Sequence, residues 1–280
     1  EGTAFLKGIL NEKIDHFITF FENKPSSIYL TFKLRRRCPI SLAPDGNKPY
    51  LLWVKLPLIH RLKKTLKHLL ILWINKLYVW KIYVTSSKYA TFPEIKEVWL
   101  TNPDLYKHVS GKRLRKIGVL DTPEAKAAVN RAYQFKFADH DIPQNGILFY
   151  VNNNYYNQQA YDVELDILME LKSKFKDRQF VVKPHPLTPK EQLQKFRSLS
   201  NFTIIETKVP VELLIANLKS SIIFSFWSAG LMVDNVSSKF FWLYPIMRKR
   251  GALEQELTIG NPTNHISVVD NTDAINFRKI

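Results

Sequence analysis

The chain has 280 residues, of which 45% are apolar and 13% are aromatic. This composition excludes a disordered chain and supplies enough apolar material for one large or two ordinary domains. Its single cysteine, Cys38, excludes an intramolecular disulfide, and no group of Cys and His residues has the spacing of a zinc site. The chain starts with EGTAFLKGIL, which has neither an initiator methionine nor a signal-peptide profile, so we expect the native start to lie upstream.

The formal charge of +16 is concentrated in one block of the sequence. Residues 31–90 contain thirteen Lys or Arg and a single acid, Asp45, which gives this block a net charge of +12. Such a block indicates an anionic partner, namely nucleic acid, a membrane surface or a polyanionic substrate. The alternative is a solvated basic face that has no partner.

The first half of the chain has an irregular pattern that fits an α/β domain best. A series of strands, or a helix followed by strands, is predicted for the segments DHFITFF, SIYLTFKL and CPISLAPDG. Short strands and turns are predicted for 94–120. The apolar stretch 69–84 is interrupted by Lys76 and Lys81, which argues against a membrane span.

The second half alternates between strand and helix patterns. GILFYV (146–151) predicts a buried strand, and the apolar spacing of 160–176 predicts an amphipathic helix. The strand QFVVKP leads to TPKEQLQKFRSL, for which we predict a helix with Thr188 as its N-cap and Pro189 in its first position. The strands FTIIE, SSIIFSF and KFFWLYP then alternate with helices that begin in VPVELLIANL and SAGLMVDNV.

This alternation with short links predicts an α/β fold with parallel, doubly wound sheets. Turn residues in ADHDIPQNG indicate a boundary near 138–146, so we expect one domain over 1–142 and a second over 143–280. Two α/β domains that face a cleft are typical of many enzymes, and ligands of such sheets bind at the carboxyl ends of the strands.

The stretch VVKPHPLTP (181–189) ends an apolar strand on a histidine between two prolines. The prolines stiffen the backbone around His185, and the helix that follows offers free N–H groups that favour an anion. His185 and the adjacent Pro186 are therefore candidates for binding a phosphate. The alternative is a histidine that only fills a turn at the end of a strand.

Two later segments place polar side chains at comparable positions. PVE (210–212) puts Glu212 at the start of a helix, and FSFWSAG puts Ser225 and Ser228 at the end of a strand and the opening of a helix. A serine at a helix N-terminus can bind a phosphate oxygen with both its amide and its hydroxyl. The sequence therefore predicts a nucleoside monophosphate site in which His185 and a serine hold the phosphate and Glu212 holds the ribose.

The segments KPHP, PVE and FSFWS, in this order and spacing, resemble the His-Pro motif, the ribose-binding glutamate and the serine motif of bacterial sialyltransferases with the two-domain GT-B fold. These enzymes include lipooligosaccharide sialyltransferases and capsule polysialyltransferases, and their donor is CMP-sialic acid. The resemblance implies a GT-B-like fold of two Rossmann-like domains, the second of which binds the CMP-sugar. The two serines are not adjacent as in the family's motif, which favours Ser228 over Ser225. The residues that it assigns to the donor are His185, Pro186, Glu212, Ser225 and Ser228.

A third motif of these enzymes, an acidic pair followed by glycine, supplies the catalytic base in the first domain. Here APDG (43–46) retains Asp45 and Gly46 but has Pro44 in place of the first acid. The resemblance implies an inverting transfer without cofactor or metal, in which Asp45 removes the proton of the acceptor hydroxyl and His185 stabilises or protonates the departing phosphate. The alternative for Asp45 is an ordinary turn.

The basic block surrounds the candidate base and indicates the kind of acceptor. A polymer with one carboxylate per residue needs cations to hold it, and we assign this role to Arg35, Arg36, Arg37 and Lys48, on the acceptor side of the protein. The same charge also suits contact with anionic lipid head groups. We therefore expect a CMP-sugar donor, an acidic glycan acceptor, and a bacterial cytoplasmic protein that is peripheral at the inner face of the cytoplasmic membrane.

Three other interpretations remain open. The motifs recognise CMP rather than its sugar, so a Kdo or other CMP-sugar transferase of capsule or lipopolysaccharide assembly also fits. The basic block suits a nucleic-acid-binding module, but no helix-turn-helix, RNA-recognition or zinc-finger signature is present, and we expect no nucleic-acid partner. A peripheral membrane-binding protein without catalysis would use RLKKTLKHLLILW as an interfacial helix.

Overall fold

The computed structural model divides the chain into two compact units, residues 1–117 and 118–280, which are described separately below. The residues whose placement the structure describes are 2–44, 57–84, 90–106, 111–118, 120, 122–140, 142–151, 158–200, 202–207, 209–233, 235–253, 261 and 263–275.

The first unit is built on a four-stranded parallel sheet, with strands in the order β1-β2-β3-β4. The segment SIYLTFKL lies in a helix, α2, whose first position is a proline, and six residues of this helix are buried. The elements of this unit are α1 (Gly2–Ile9), β1 (Phe17–Thr19), α2 (Pro25–Leu34), β2 (Ile40–Leu42), α3 (Leu58–Ile74), β3 (Ile95–Leu100), a 3-10 helix (Pro103–Leu105) and β4 (Arg113–Lys116).

The second unit has six parallel strands and a larger set of helices. Its elements are α4 (Pro123–Ala132), a 3-10 helix (Phe137–Asp139), β5 (Ile147–Tyr150), α5 (Gln158–Lys174), β6 (Phe180–Lys183), α6 (Lys190–Ser198), β7 (Phe202–Ile204), α7 (Val211–Asn217), β8 (Ile222–Ser225), a 3-10 helix (Ala229–Met232), β9 (Lys239–Trp242), α8 (Tyr244–Lys249), β10 (Ile266–Val268) and a 3-10 helix (Thr272–Ala274). The second unit begins at residue 118, whereas the turn residues predict a boundary at 142/143. Residues 118–142 fall in this unit because their helix, α4, packs against α7.

The six strands pair in the order β10-β9-β8-β5-β6-β7. The chain runs outward from β5 through β6 to β7, returns to the other side of β5, and continues through β8 and β9 to β10. In a doubly wound sheet this reversal between β5 and β8 is the topological switch point, where the carboxyl ends of the strands leave a crevice for ligands. The predicted α/β class with parallel sheets is confirmed.

The centre of the second sheet is buried along nearly its whole length. Every residue of β6 and β8 is buried, as are the first three residues of β5, which fits the continuous apolar runs of a parallel sheet covered on both faces. Ile167, Leu168 and Leu171 of α5 are fully buried in the same core. Burial of one large aliphatic side chain stabilises a fold by roughly 1.5–3 kcal/mol, so this core holds the strand ends in fixed positions.

Two predicted helix starts are wrong. Thr188 is not an N-cap, because its N–H donates to the carbonyl of His185 at 2.9 Å in a turn, and α6 begins only at Lys190 with Pro189 as its cap. The segment SAGLMVDNV opens a four-residue 3-10 helix instead of an α-helix, and the backbone is extended again at Val233.

Candidate functional site

Three of the predicted donor residues lie along the carboxyl edge of the second sheet. His185 follows β6, Glu212 is the second residue of the helix that follows β7, and Ser228 follows β8. Strands β6 and β8 are the two neighbours of β5, on either side of the topological switch point. The strand order therefore brings these residues from distant parts of the sequence to one edge.

The imidazole of His185 is half-buried and its tautomer is determined by the backbone. The N–H of Leu187 donates to Nδ1 of His185 at 3.1 Å, so Nδ1 is an acceptor and the proton of the neutral ring lies on Nε2. Burial lowers the pKa of His185, and the positive charge of Lys183 lowers this pKa further. At neutral pH the free protein therefore presents an uncharged ring with Nε2–H as its hydrogen-bond donor.

Lys183 connects the loops that follow β6 and β7. This side chain is only 2% exposed, and its Nζ donates to the carbonyl of Thr207 at 2.7 Å and to that of Pro184 at 3.3 Å. Burial lowers the pKa of Lys183, whereas the carboxylate of Glu212 raises it. Lys183 thus holds in place the backbone that carries His185.

Glu212 and Ser228 come together at Gly230 of the 3-10 helix. A Cβ atom at position 230 would lie 3.4 Å from Oε1 of Glu212 and 3.3 Å from Oγ of Ser228, so both side chains border the same point. The same Cβ would overlap Cγ1 of Val211. A residue without a side chain at position 230 therefore lets α7 pack closely against the 3-10 helix and keeps the carboxylate beside the hydroxyl.

Ser228 caps the 3-10 helix, and its hydroxyl proton has no acceptor among the described residues. Its Oγ accepts the N–H of Gly230 at 3.0 Å, and its carbonyl accepts Nε1–H of the fully buried Trp242 at 3.2 Å. A serine hydroxyl has one proton and two lone pairs, so Oγ can accept from this amide and still donate to another oxygen. The hydrogen bond from the indole of Trp242 fixes the position of the Ser228 backbone.

Tyr150 is a further member of this cluster that was missed in the sequence. It is the last residue of β5, and its ring centroid lies 6.5 Å from that of His185. Burial raises the pKa of the Tyr150 phenol, and the carboxylate of Glu212 adds to this effect. Its place at the end of the central strand is the signal that could have identified it, and the lysine within KPHP is the matching signal for Lys183.

A cavity of about 380 Å³ lies beside His185. Thr188 contributes to its wall with a buried Oγ1 that has no hydrogen-bond partner among the described residues. The carboxylate of Glu206 is paired with Arg197 at 2.5 Å, which lowers the pKa of Glu206. The lining residues are Pro184, His185, Pro186, Thr188, Leu193, Glu206 and Thr207.

The other two predicted donor residues differ in their access to a ligand. Pro186 is exposed in the loop after β6 and also lines the cavity. Ser225 is fully buried inside β8, in register with Trp242 of β9. In this arrangement Ser225 contributes to the core, and Ser228 is the serine that borders the site.

The predicted acceptor residues in the first unit have different environments. The guanidinium of Arg35 lies 3.9 Å from the ring centroid of Phe32 and donates to the carbonyl of the same residue. Arg37 donates to the carbonyls of Leu10 and Glu12 in the segment that follows α1. Arg36 is exposed.

Two further predicted residues, the candidate base Asp45 and the acceptor residue Lys48, lie outside the described residues.

The chain matches a known family over most of its length. The model of this family, described as alpha-2,8-polysialyltransferase (POLYST), matches residues 32–239. The chain belongs to the alpha-2,8-polysialyltransferase family. The polysialyltransferase match extends from α2 to the start of β9 and includes His185, Glu212 and Ser228. It confirms the resemblance to bacterial sialyltransferases that the motifs indicated.

Several solved structures are similar to this polysialyltransferase-family chain. UDP-GlcNAc 2-epimerase from Neisseria meningitidis is 17% identical with a TM-score of 0.48, and the match covers 82% of this chain and 58% of that one. The epimerase from Methanocaldococcus jannaschii is 12% identical over 96% and 69% of the two chains, with a TM-score of 0.49. The GT-B domain of a sialyltransferase from Photobacterium damselae is 14% identical over 86% and 74%, with a TM-score of 0.47. No curated protein matches the chain.

Proposed function

We propose that this protein transfers sialic acid from CMP-sialic acid to a glycan acceptor. The observation that supports this most strongly is the meeting of Glu212 and Ser228 at Gly230, with His185 on the same sheet edge, in a chain of the polysialyltransferase family. These three side chains have the hydrogen-bonding groups that a nucleoside monophosphate requires at a topological switch point.

Each of the three residues has a distinct role in this proposal. Nε2–H of His185 and the hydroxyl of Ser228 donate to the phosphate oxygens of the donor, and the carboxylate of Glu212 accepts hydrogen bonds from the ribose hydroxyls. As the bond to the sugar breaks, negative charge grows on the phosphate, and donors that are already in position stabilise it more than they stabilise the ground state. His185 stabilises the departing CMP through Nε2–H, and it would protonate CMP only after first taking up a proton, since its ring is neutral in the free protein.

The acceptor half of the reaction falls to the first unit. We assign Asp45 as the base that removes the proton of the acceptor hydroxyl, so that the oxygen attacks the anomeric carbon from the face opposite CMP and inverts it. Hydrogen-bond donors meet the phosphate charge in this scheme, and we expect transfer to continue without a divalent metal.

We propose an acidic acceptor, such as an oligosialic or capsular chain. Residues 1–117 contain twenty-two Lys or Arg and eight Asp or Glu, a net charge of +14, so the second unit carries only +2 of the total of +16. A field of this sign raises the local concentration of a polyanion. It also suits a bacterial cytoplasmic protein at the inner face of the membrane, where we place it.

A binding and turnover experiment tests this function. Calorimetry with CMP, UMP, AMP and GMP should show preferential binding of CMP, and EDTA should not change the affinity. Transfer should then be measured with CMP-sialic acid and CMP-Kdo over neutral and oligosialic acceptors, by product mass. Binding without preference for CMP would contradict the proposed CMP site. Transfer from CMP-Kdo alone would leave the CMP site in place and would show that the transferred sugar is Kdo instead of sialic acid.

A further inference from the structure

Helix α3 exposes a continuous apolar stripe. The stripe residues repeat at intervals of three or four along the helix, which places them on one face. Their side chains are between 42% and 67% exposed, although each is large and apolar. The members of this stripe are Leu58, Leu62, Leu66, Leu70 and Trp73.

The stripe is distinct from the face by which α3 packs onto its own unit. Thr65 and Leu72, which lie seven residues apart, are the buried residues of the helix, and α3 packs against α2. At 100° per residue these two positions point about 60–120° away from Leu62 and Leu66. Helix α3 therefore has one apolar face for its own core and a second apolar face that the described residues leave exposed.

A basic face lies on the other side of the stripe. Lys63, Lys64 and Lys67 are exposed, and no carboxylate in the part of the chain that the structure describes pairs with them. Residues 57–84 contain no acid at all. Burial lowers the pKa of His68, and the positive charges of Lys64, Lys24 and Lys67 contribute to the same shift. Within the described part of the first unit, the apolar stripe is thus bordered by positive charge that no carboxylate pairs with.

Aromatic side chains extend the apolar surface past the end of the helix. Tyr78, Trp80 and Ile82 are 60%, 75% and 65% exposed and alternate with buried or half-buried neighbours. The ring of Trp80 lies edge-on to Phe32 at 5.3 Å, which holds the indole at the surface. Tryptophan and tyrosine, with an apolar ring and a polar group, are the side chains that favour the boundary between lipid and water.

We propose that α3 and residues 78–82 form a docking surface for an anionic lipid bilayer. The apolar stripe inserts between the head groups, and the lysines contact the lipid phosphates. The seventeen residues of α3, with an apolar and a basic face, suit a position in the plane of the interface. Within the described ranges, none of the helices has the length and hydropathy of a membrane span. A second copy of the chain is a poor occupant, because two cationic faces without acids would repel each other.

Flotation with vesicles tests this surface, independently of CMP binding and sialyl transfer. The protein should float with phosphatidylcholine vesicles that contain phosphatidylglycerol and bind weakly to pure phosphatidylcholine. The variant K63Q/K64Q/K67Q should lower the partition coefficient on the order of 100-fold, because each lysine near an anionic surface contributes about fivefold. The variant L62S/L66S/L70S should lose binding to both vesicles. In wild type, acyl-chain-brominated lipid should quench tryptophan fluorescence.

Matched controls separate the surface from general charge and general apolarity. The variants K136Q/K176Q/K219Q and Y133S/M169S/V236S change exposed side chains of the same kinds in the second unit and should float like wild type. Circular dichroism checks that every variant is folded. The proposal is overturned if wild type does not float with anionic vesicles, or if both α3 variants still do. It is also overturned if L62S/L66S/L70S dissociates a dimer in sedimentation while vesicle binding is retained, since the stripe would then be an interface between copies.

Discussion

At the scale of single residues, the backbone N–H of Leu187 determines which nitrogen of His185 faces a ligand. Because Nδ1 accepts this N–H, the donor is Nε2–H, and the lowered pKa of His185 keeps the ring neutral in the free protein at neutral pH. In the free protein the imidazole of His185 is therefore an oriented, uncharged hydrogen-bond donor. A hydrogen bond to a charged group contributes about 1.5–3 kcal/mol, which is enough to decide whether CMP binds well.

This orientation makes the amide variants of His185 informative. Glutamine can place its side-chain N–H near the position of Nε2, whereas the shorter asparagine reaches only the position of Nδ1. We expect H185N to weaken CMP binding about tenfold, H185Q to retain most of it, and both to lower kcat by about 10²-fold or more. Calorimetry and initial rates provide the two measurements. The control L187A keeps the backbone N–H and should behave like wild type, and unchanged kinetics in H185N would contradict the role.

The residues of the site differ in how far the sequence could reveal them. His185 and Ser228 follow strands directly, and Glu212 begins a helix, so the strand–helix pattern alone indicated a shared edge. Lys183 and Tyr150 were missed because they lie within apolar strands, where the pattern indicates core. Only the structure shows that Nζ of Lys183 reaches the carbonyl of Thr207, a contact between segments 24 residues apart.

At the scale of elements, the close approach of α7 to the 3-10 helix Ala229–Met232 positions the carboxylate beside the hydroxyl. The approach depends on Gly230, since any Cβ there would overlap Val211. We expect G230A to force the two elements apart, which lowers stability by about 1–3 kcal/mol and weakens CMP binding. Thermal unfolding and CMP titration measure the two effects. G8A in α1, where a Cβ meets nothing within 4 Å, is the matched control and should lose neither property.

The sequence predicts the elements of the second unit better than their ends. All six of its strands except β10 were expected, because parallel strands are short apolar runs between turn residues. The start of α6 was displaced, since the turn at 185–188 satisfies the N–H of Thr188 locally and leaves the cap to Pro189. Which partner a backbone N–H binds at a helix end depends on the conformation of the folded backbone, and a single sequence does not reveal that conformation.

At the scale of the whole molecule, the net charge of the chain is distributed very unevenly between the two units. The first unit carries +14 and the second +2, so any long-range attraction for an anionic chain or surface originates in residues 1–117. The sequence showed the excess of charge, and the structure shows which cations are already engaged. Arg36 and Arg37 are both exposed, but Arg37 donates to backbone carbonyls of its own unit and Arg35 contacts Phe32.

This difference predicts unequal effects of Arg36 and Arg37 on an acidic acceptor. R36Q removes one exposed charge from the first unit, and one charge at a protein surface contributes about 1 kcal/mol, so KM for an oligosialic acceptor should rise about fivefold at low salt. The rise should shrink at high salt as the Debye length falls below the distance between charges. CMP affinity and the melting temperature should stay at wild-type values, because Arg36 belongs to the first unit and the proposed donor groups belong to the second. R37Q serves as the comparison. It removes hydrogen bonds to the carbonyls of Leu10 and Glu12, and it should therefore lower the melting temperature as well. Acceptor kinetics at two ionic strengths and thermal melts provide the measurements. A KM that changes with neither R36Q nor salt would contradict a role of these arginines in acceptor binding. The positive charge of the first unit would then be explained by membrane contact instead.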